Sequence, residues 1–387
     1  MKICQIGTGN EYISQKSKIA VELVIFNLSK SLAELGNEVY IIDLYNKENQ
    51  KLKNIEYKFI NLPPFLEKKT SQGTFKHFIK KTWFSIKLLP LLLTLNKEKN
   101  LDVIHVQNQF PGFFILFFLK PFIRTNIIYT SHTPFWILPK KLFTNFLLFK
   151  TLLERICIKL AGEVICVSEA QKKGILEKIN VKKEKLKVIK NGVDLRKFHP
   201  SAEKKKNKII ILSVARICRT KNQLFSLKAI KYVVKNNKNI KFILIGQAEE
   251  PIYLNKIKEF IKNENLQNNV EVVGAVDNNI IPDYYRASDI FLSSSTAEGL
   301  PLTVLEAMAS GCCILLSDIP PHKEISKNDE IIFFKSNDIQ DLIKKLSLII
   351  KNKELLNSLK KKAFQTAQKF YSWEQVAKNN IEVYRSL

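Results

Sequence analysis

Several features that mark secreted, metal-binding and membrane-spanning proteins are missing from this chain of 387 residues. Its six cysteines have no Cys-x-x-Cys spacing and mostly lie in apolar segments, so we expect buried thiols of a reducing compartment, without disulfides or zinc. No apolar run reaches the roughly 18–20 residues that cross a bilayer. The segment after Met1 reads as a strand and lacks the apolar core of a signal peptide. These absences predict a cytoplasmic protein.

Acidic residues are also scarce. The chain has 62 Lys and Arg against 36 Asp and Glu, which gives a net charge of +26. A field of this size favours anionic partners, namely nucleic acid, an acidic lipid surface or a phosphorylated acceptor. No nucleic-acid-binding signature accompanies the charge, so we expect no nucleic acid partner.

Strands alternate with helices along the chain, a pattern that predicts parallel sheets covered on both faces. The length suffices for two domains with separate cores. A first helix is expected over Glu22–Leu35, ending at Gly36. The expected strands are Lys2–Ile6, Glu38–Asp43, Asp102–Val106, Asn126–Thr130 and Glu163–Val167 in the first half, and Lys208–Val214, Ile240–Ile245, Val270–Val273, Ile290–Ser293 and Cys313–Ser317 in the second.

The connection between the two halves is expected over Asn191–Lys208, which holds Gly, Pro and the charged run Glu203–Lys206. The domains would then span residues 1–190 and 207–370. We expect two doubly wound α/β domains facing each other across a cleft.

The stretch Ser294–Met308 is the most informative part of the sequence. Glu298 lies in a Gly-Pro loop after an apolar strand, and Glu306 lies about one turn into the following helix. A helix start attracts an anion, while carboxylates accept hydrogen bonds from hydroxyl groups. A nucleotide sugar carries both phosphates and hydroxyls. The alternative is a surface loop followed by a helix with a solvated Glu.

Two cations follow another predicted strand. Arg216 and Lys221 lie just past Val214, at the end of a strand where open α/β sheets bind ligands. Arg offers a planar fork of donors and Lys a movable charge, so the pair suits a diphosphate. The alternative is ordinary surface decoration in a Lys-rich chain.

Together these segments resemble the GT-B glycosyltransferases of the large retaining family usually numbered four. The matching segments follow the family order over nearly the whole chain: Ile165–Glu169, Val188–Asp194 with Phe198 and Pro200, Ile211–Arg216 with Lys221–Gln223, the Glu-x7-Glu signature Glu298–Glu306, and Tyr371–Glu374 continuing to Tyr384. The resemblance implies two Rossmann-like domains. It also implies a last helix over Trp373–Ser386 that crosses back to the first domain.

The resemblance further implies transfer of a sugar from a nucleoside-diphosphate sugar to an acceptor hydroxyl, with retention of the anomeric configuration. Glu306 would hold the ribose, and Glu298 would hold the donor sugar without acting as a nucleophile. The diphosphate would lie against Arg216, Lys221 and the helix start. The donor-binding segment implied is Gly299, Leu300, Pro301, Leu302 and Thr303. No metal or other cofactor is expected, because no His or acidic pair has a ligand spacing.

His132 follows a predicted strand of the first domain, and it matches the family position of a His near the donor sugar. An imidazole there can bond a sugar hydroxyl, so we expect His132 in the catalytic site beside Glu298. A structural or supporting role is expected for His105. No constellation supports a role for His77, His199 or His322.

One departure from the family pattern concerns the acceptor. Relatives commonly have a Gly-Gly pair before the first helix, where this chain has Ile19 and Ala20, just upstream of Glu22. Gly permits close backbone approach to a ligand, so the acceptor contacts are altered. Two alternatives therefore stay open: a nucleotide-sugar epimerase of the same fold, and a non-catalytic GT-B binding subunit.

The acceptor side also carries an unusual composition. Residues 111–150 contain five basic residues, many Phe and no Asp or Glu, and the segment 68–93 joins lysines to Trp83 and a Leu-rich run. Basic clusters beside Phe, Trp and Leu are typical of a segment at an anionic membrane surface. We expect peripheral binding at the inner face of the cell membrane and a lipid-linked or envelope-glycan acceptor. The alternative is that the Phe-rich runs are buried helices.

Overall fold

The computed structural model describes residues 1–17, 19–45, 52–67, 75–132, 136, 145–201, 208–327 and 329–386. The chain divides into two compact units. The first unit comprises Met1–Asn191 and Trp373–Leu387, and the second comprises Gly192–Ser372. The charged run Glu203–Lys206 of the predicted connection lies outside the described residues.

The first unit contains a seven-stranded, wholly parallel sheet in the order β3-β2-β1-β4-β5-β6-β7. Its strands are β1 (Lys2–Ile6), β2 (Glu38–Leu44), β3 (Ile55–Ile60), β4 (Val103–Val106), β5 (Asn126–Ser131), β6 (Glu163–Cys166) and β7 (Leu186–Val188). Its helices are α1 (Ala20–Glu34), α2 (Pro64–Glu67), α3 (Phe75–Lys99), α4 (Gln109–Phe114), α5 (Asn145–Leu160), α6 (Glu169–Lys178) and the last helix α14 (Trp373–Arg385). A π-helical turn, Ile115–Leu119, continues α4.

The second unit contains a six-stranded parallel sheet in the order β10-β9-β8-β11-β12-β13. Its strands are β8 (Ile209–Val214), β9 (Ile240–Ile245), β10 (Val270–Gly274), β11 (Ile290–Ser293), β12 (Cys313–Ser317) and β13 (Ile331–Phe334). Its helices are α7 (Gln223–Asn236), α8 (Pro251–Asn263), α9 (Ile281–Ala287), α10 (Leu302–Ala309), α11 (Pro320–Lys323), α12 (Ile339–Lys351) and α13 (Lys353–Phe370).

The sequence pattern explains these elements. The central strands are short runs of Ile, Leu and Val buried on both faces, as parallel strands between helices require. Helix α1 ends where Gly36 adopts a positive φ of 86°, so the predicted stop is confirmed. The prediction of two parallel-sheet α/β domains is also confirmed. Strands β3, β7 and β13 were not predicted.

Both sheets have a point where the chain order reverses between two neighbouring strands. This point lies between β1 and β4 in the first unit and between β8 and β11 in the second. Open α/β sheets bind ligands beyond the carboxyl ends of the strands at such a point. A ligand-binding site is therefore expected in the loops that follow these four strands.

The core accounts for several composition features. All six cysteines are free and buried, as the sequence predicted. In the Leu-rich run of α3, Leu88 and Leu92 are fully buried, so this part of the predicted membrane segment belongs to the core. Among the described residues no helix is long and apolar enough to cross a membrane.

Candidate functional site

The loops after β8 and β11 are joined by hydrogen bonds. The Thr296 amide donates to the Thr220 carbonyl at 2.8 Å, and the Ser294 hydroxyl donates to the Asn222 carbonyl at 2.8 Å. Asn222 turns this loop with a positive φ of 54°, a conformation that Asn tolerates better than most residues. The two predicted donor-binding segments therefore form one surface at the strand-order reversal of the second unit.

An ion pair lies in this surface. Lys221 Nζ is 2.5 Å from Glu298 Oε1, and the two side chains are only 15% and 10% exposed. Burial alone would raise the pKa of Glu298, but the ammonium of Lys221 and a hydrogen bond from Ser295 hold that pKa below its ordinary value. Glu298 is therefore ionised at neutral pH. Losing one partner of a buried pair costs about 3–5 kcal/mol, because the other charge is left uncompensated.

His322 is a member of this site that the sequence analysis missed. Its Nδ1 lies 2.9 Å from the Ser317 carbonyl, so Nδ1 carries the proton and donates. Burial lowers the pKa of His322, leaving a neutral ring. Nε2 is buried and has no hydrogen-bond partner among the described residues. The sequence signal was weak, because His322 follows β12, a different strand from those that carry Lys221 and Glu298.

Glu306 occupies the other side of α10. It accepts a hydrogen bond of 2.8 Å from the Tyr285 hydroxyl, and the charge of Lys197 acts on it. Burial is the largest influence on Glu306 and raises its pKa. Phe198 packs edge-on against Tyr285 at 5.7 Å between ring centroids. Lys197 and Tyr285 were not predicted, since neither belongs to a motif that points to phosphate or sugar.

The helix start between the two glutamates has no side-chain cap. Helix α10 begins at Leu302, and Pro301 before it provides no side-chain cap. The first N–H groups of a helix have no partner inside it, so they and the helix dipole attract an anion. Gly299, Leu300 and Thr303, which the sequence analysis assigned to the donor-binding segment, flank this start.

Arg216 lies on the same loop as Lys221 but is exposed and pairs with Glu249 at 2.5 Å. The sequence analysis missed Glu249, which follows β9. Close approach of these loops requires glycine: a Cβ on Gly246 would lie 1.8 Å from the Ala215 carbonyl oxygen. The structure thus places Arg216 beside β9, whereas Lys221 reaches toward β11.

In the first unit, His132 follows β5 and is fixed by Gln107. Its Nε2 lies 2.9 Å from Gln107 Oε1, which can only accept, so Nε2 donates and Nδ1 is the unprotonated nitrogen of the neutral ring. Burial lowers the pKa of His132 to about 4, so the ring is neutral at pH 7. The Gln107 amide in turn donates to Gln5 at 3.0 Å. Residues 133–135 beyond His132 lie outside the described residues.

His105 has the supporting position expected for it. It is buried, its Nε2 lies 2.7 Å from the Thr130 hydroxyl, and burial lowers its pKa to about 3. His77 is buried in α3, and His199 contacts the Pro200 carbonyl. Among the described residues, no group of three or more His, Cys, Asp or Glu is placed to hold a metal ion.

Two protein-family models match the chain. The model described as "Glycosyl transferases group 1" matches residues 194–366, and the model described as "Glycosyltransferase Family 4" matches residues 21–197. Together the two models cover residues 21–366, a range that includes His132, Lys221, Glu298 and Glu306.

Known proteins agree with these matches. The chain is 28% identical to the UDP-Gal:alpha-D-GlcNAc-diphosphoundecaprenol alpha-1,3-galactosyltransferase of Escherichia coli, over 69% of this chain and 71% of that protein. It is 27% identical to the alpha-monoglucosyldiacylglycerol synthase of Streptococcus pneumoniae, over 80% of this chain and 70% of that protein. Among solved structures, sucrose-phosphate synthase from Thermosynechococcus elongatus superposes with a TM-score of 0.81 at 18% identity. The superposition covers 100% of this chain and 98% of that chain.

Proposed function

Since the chain is a group 1 glycosyl transferase with the GT-B fold, we propose that it moves a sugar from a nucleoside-diphosphate sugar to a hydroxyl of a lipid-linked or envelope-glycan acceptor, with retention. The Lys221–Glu298 pair beside the uncapped start of α10 carries this proposal. The cation and the helix start suit the phosphates of a sugar diphosphate, and the carboxylate suits the hydroxyls of its sugar, which supports the proposal.

The pair suggests a sequence of contacts for the donor. A diphosphate brings more negative charge to Lys221 than one carboxylate does, so it competes with Glu298 for the ammonium. Glu298, released from Lys221, accepts hydrogen bonds from the donor sugar. Arg216 adds a second cation once it leaves its exposed pair with Glu249, since exposed pairs contribute only about 0–1 kcal/mol.

The nucleoside end is assigned to Glu306. Its carboxylate, already held by Tyr285, accepts from the ribose hydroxyls. The cations and the start of α10 stabilise the leaving diphosphate, so we propose that transfer requires no metal ion. We propose that the unprotonated Nδ1 of His132 accepts a hydrogen bond from a donor-sugar hydroxyl.

We further propose that the first unit docks on an anionic membrane at the inner face of the cell. The two relatives named above act on lipid-linked or lipid acceptors by name. Phe117, Phe118 and Phe122 are 53%, 48% and 78% exposed, so part of the Phe-rich run is not buried. These three residues, together with partly buried Phe113, are called the aromatic surface. Exposed Arg124 lies nearby in a stretch without acidic residues.

The transfer assay separates the three functions kept open by the sequence. The full chain is incubated with UDP-, GDP- and ADP-sugars, with and without lipid-linked acceptors, and products are identified by mass spectrometry and NMR. Acceptor-dependent transfer with retained configuration supports the proposal. Isomerised nucleotide sugar without acceptor indicates an epimerase, and donor binding without any product indicates a binding subunit. Either of these results overturns the proposal.

A further inference from the structure

The first turns of α3 bury ionisable groups where a packed helix normally buries apolar ones. His77, Lys80 and Lys81 are each less than one-tenth exposed, whereas the same helix buries Leu88 and Leu92 further along. A buried ammonium is costly unless it is paired, because it loses its hydration. The donor site described above lies in the other unit and does not use these residues.

Lys81 has no anionic partner at bonding distance among the described residues. Its Nζ lies 5.9 Å above the centre of the Phe110 ring, a cation–π contact. Lys80 differs, because its Nζ donates to the Asn10 carbonyl at 2.8 Å. The charges of Lys80 and of Lys150 on α5 both lower the pKa of Lys81, which burial brings to about 8.

Acceptor atoms around these lysines are also left without partners. Glu22 Oε2, Asp43 Oδ1 and Asn10 Oδ1 are buried and make no hydrogen bond within the described part of the chain. Burial raises the pKa of Glu22 to about 7 and that of Asp43 well above its ordinary range. Such carboxyls take up protons easily and can then donate to an anionic oxygen. Among the described residues these lysines and carboxyls act on each other's pKa through their charges, but no ion pair at bonding distance joins them.

We infer that Lys81, with Lys80 and Lys150, binds a phosphate group of the acceptor. Lys80 and Lys150 add positive charge around Lys81, and a phosphate with several charged oxygens can bond Lys81 while offsetting the charge of the other two. Protonated Glu22 adds a donor that a phosphate oxygen accepts. This inference names the acceptor class and so rests on the proposed function, but the binding of phosphate itself does not.

The surroundings of Lys81 indicate that this phosphate is carried on an apolar chain. Phe110 stacks on Phe114 at 5.9 Å, and Phe113 stacks on exposed Phe117 at 5.4 Å. Phe113 and Phe114 touch edge-on at 5.7 Å. A continuous line of rings thus leads from Lys81 to the aromatic surface. A lipid phosphate can place its head at Lys81 and its chain along the rings.

The test measures binding of inorganic phosphate, glycerol 3-phosphate and farnesyl phosphate to the full chain by calorimetry. Farnesyl phosphate should bind tightest, and Lys81→Met should weaken it roughly 10- to 100-fold, since a charge-assisted bond is lost. Lys87→Met is the matched control, because Lys87 is exposed on the same helix over the Trp83 ring. Equal affinity of the wild type and Lys81→Met overturns the site. Equal affinity for glycerol 3-phosphate and farnesyl phosphate overturns the inference that the bound phosphate is carried on an apolar chain.

Two further measurements separate binding from folding. If Lys81 serves only the fold, Lys81→Met lowers the melting temperature, whereas the inference expects no loss, because an unpaired buried charge is removed. If that variant does not fold, Lys150→Met must weaken farnesyl phosphate binding instead. Nucleoside diphosphate affinity should be unchanged in all variants, so failure of this site and failure of the proposed donor site are distinguishable.

Discussion

The hydroxyl of Tyr384, in the last helix of the chain, donates to Nδ1 of His105 at 2.7 Å. Because Nδ1 accepts, His105 is neutral and its Nε2 proton points to Thr130. The Gln5 amide also reaches Nδ1, at 3.3 Å, and Gln5 accepts from Gln107. Helix α14 is therefore connected through buried side chains to the group that fixes His132.

Tyr384→Phe should remove this bond without disturbing packing. We expect a loss of about 0.5–1.5 kcal/mol in stability, the usual net contribution of one hydrogen bond, because the Gln5 amide still reaches Nδ1. If His132 acts in transfer, kcat should fall while the affinity for nucleoside diphosphate stays constant. Thermal unfolding measures the change in stability, and steady-state kinetics measure the change in kcat. Tyr232→Phe, at an exposed position of α7, is the control. An unchanged kcat would show that the Tyr384 bond of α14 has no influence on the reaction.

Lys221→Ala should reduce turnover by about 10²–10³, the usual cost of one preorganised donor to a developing charge. Arg216→Ala should also reduce turnover strongly, although Arg216 starts from an exposed pair. Single-turnover kinetics with a saturating donor give the comparison. Addition of EDTA should leave the wild-type rate unaltered. Wild-type turnover in both variants would show that the diphosphate lies elsewhere.

The two glutamates should separate nucleotide binding from turnover. Glu306→Gln should weaken nucleoside diphosphate binding, because the ribose loses a charged acceptor. Glu298→Gln should leave that binding nearly intact and impair transfer. Calorimetry with the nucleoside diphosphate, followed by transfer assays, tests the assignment. The reverse order of effects would contradict it.

Glu22 should make stability depend on pH in a defined window. Its pKa rises from 4.5 to about 7 on folding, so its contribution is complete below pH 4.5 and disappears as pH rises toward 7. Glu22→Gln should therefore gain up to about 3 kcal/mol on the wild type between these values. Lys81 titrates in a separate window, above pH 8. Melting temperatures across pH 4–8 provide the test, with exposed Glu34→Gln on the same helix as reference. A pH-independent difference would refute the burial effect.

The aromatic surface should bind anionic vesicles. Each Lys or Arg near such a surface contributes about 1 kcal/mol, so binding should weaken with salt. Insertion of Phe117 and Phe118 should leave a salt-resistant remainder, which Phe117→Ser with Phe118→Ser removes. Tyr232→Ser is a matched control, since Tyr232 is an exposed aromatic residue of the second unit. Cosedimentation across a salt series measures the salt-dependent part and the salt-resistant part of vesicle binding. Negligible binding to anionic and neutral vesicles alike at low salt would refute docking.

Sequence patterns predicted those parts of the molecule whose residues form a uniform apolar run or a motif of fixed spacing. Buried strands such as Ile240–Ile245 are uniform apolar runs, and Glu298 with Glu306 belongs to a spaced motif, so both were identified. Strand β3 was missed because its residues, such as Glu56 and Lys58, alternate in polarity at the sheet edge. His322 and Lys197 were missed because their contacts arise from neighbours far away in sequence, whereas Lys81 was included in the basic segment 68–93 but assigned to a membrane surface. The lysines 68 and 69, with 140 and 141, lie outside the described residues.

The division of the chain has a consequence for how it is made. Helix α14 belongs to the first unit, packs on α1 and supplies Tyr384 to its centre, yet it is the last helix in the sequence. Domains generally fold in order as they leave the ribosome. Here the first unit to be synthesised must wait, lacking one helix and one buried hydroxyl, until translation of the second unit is complete.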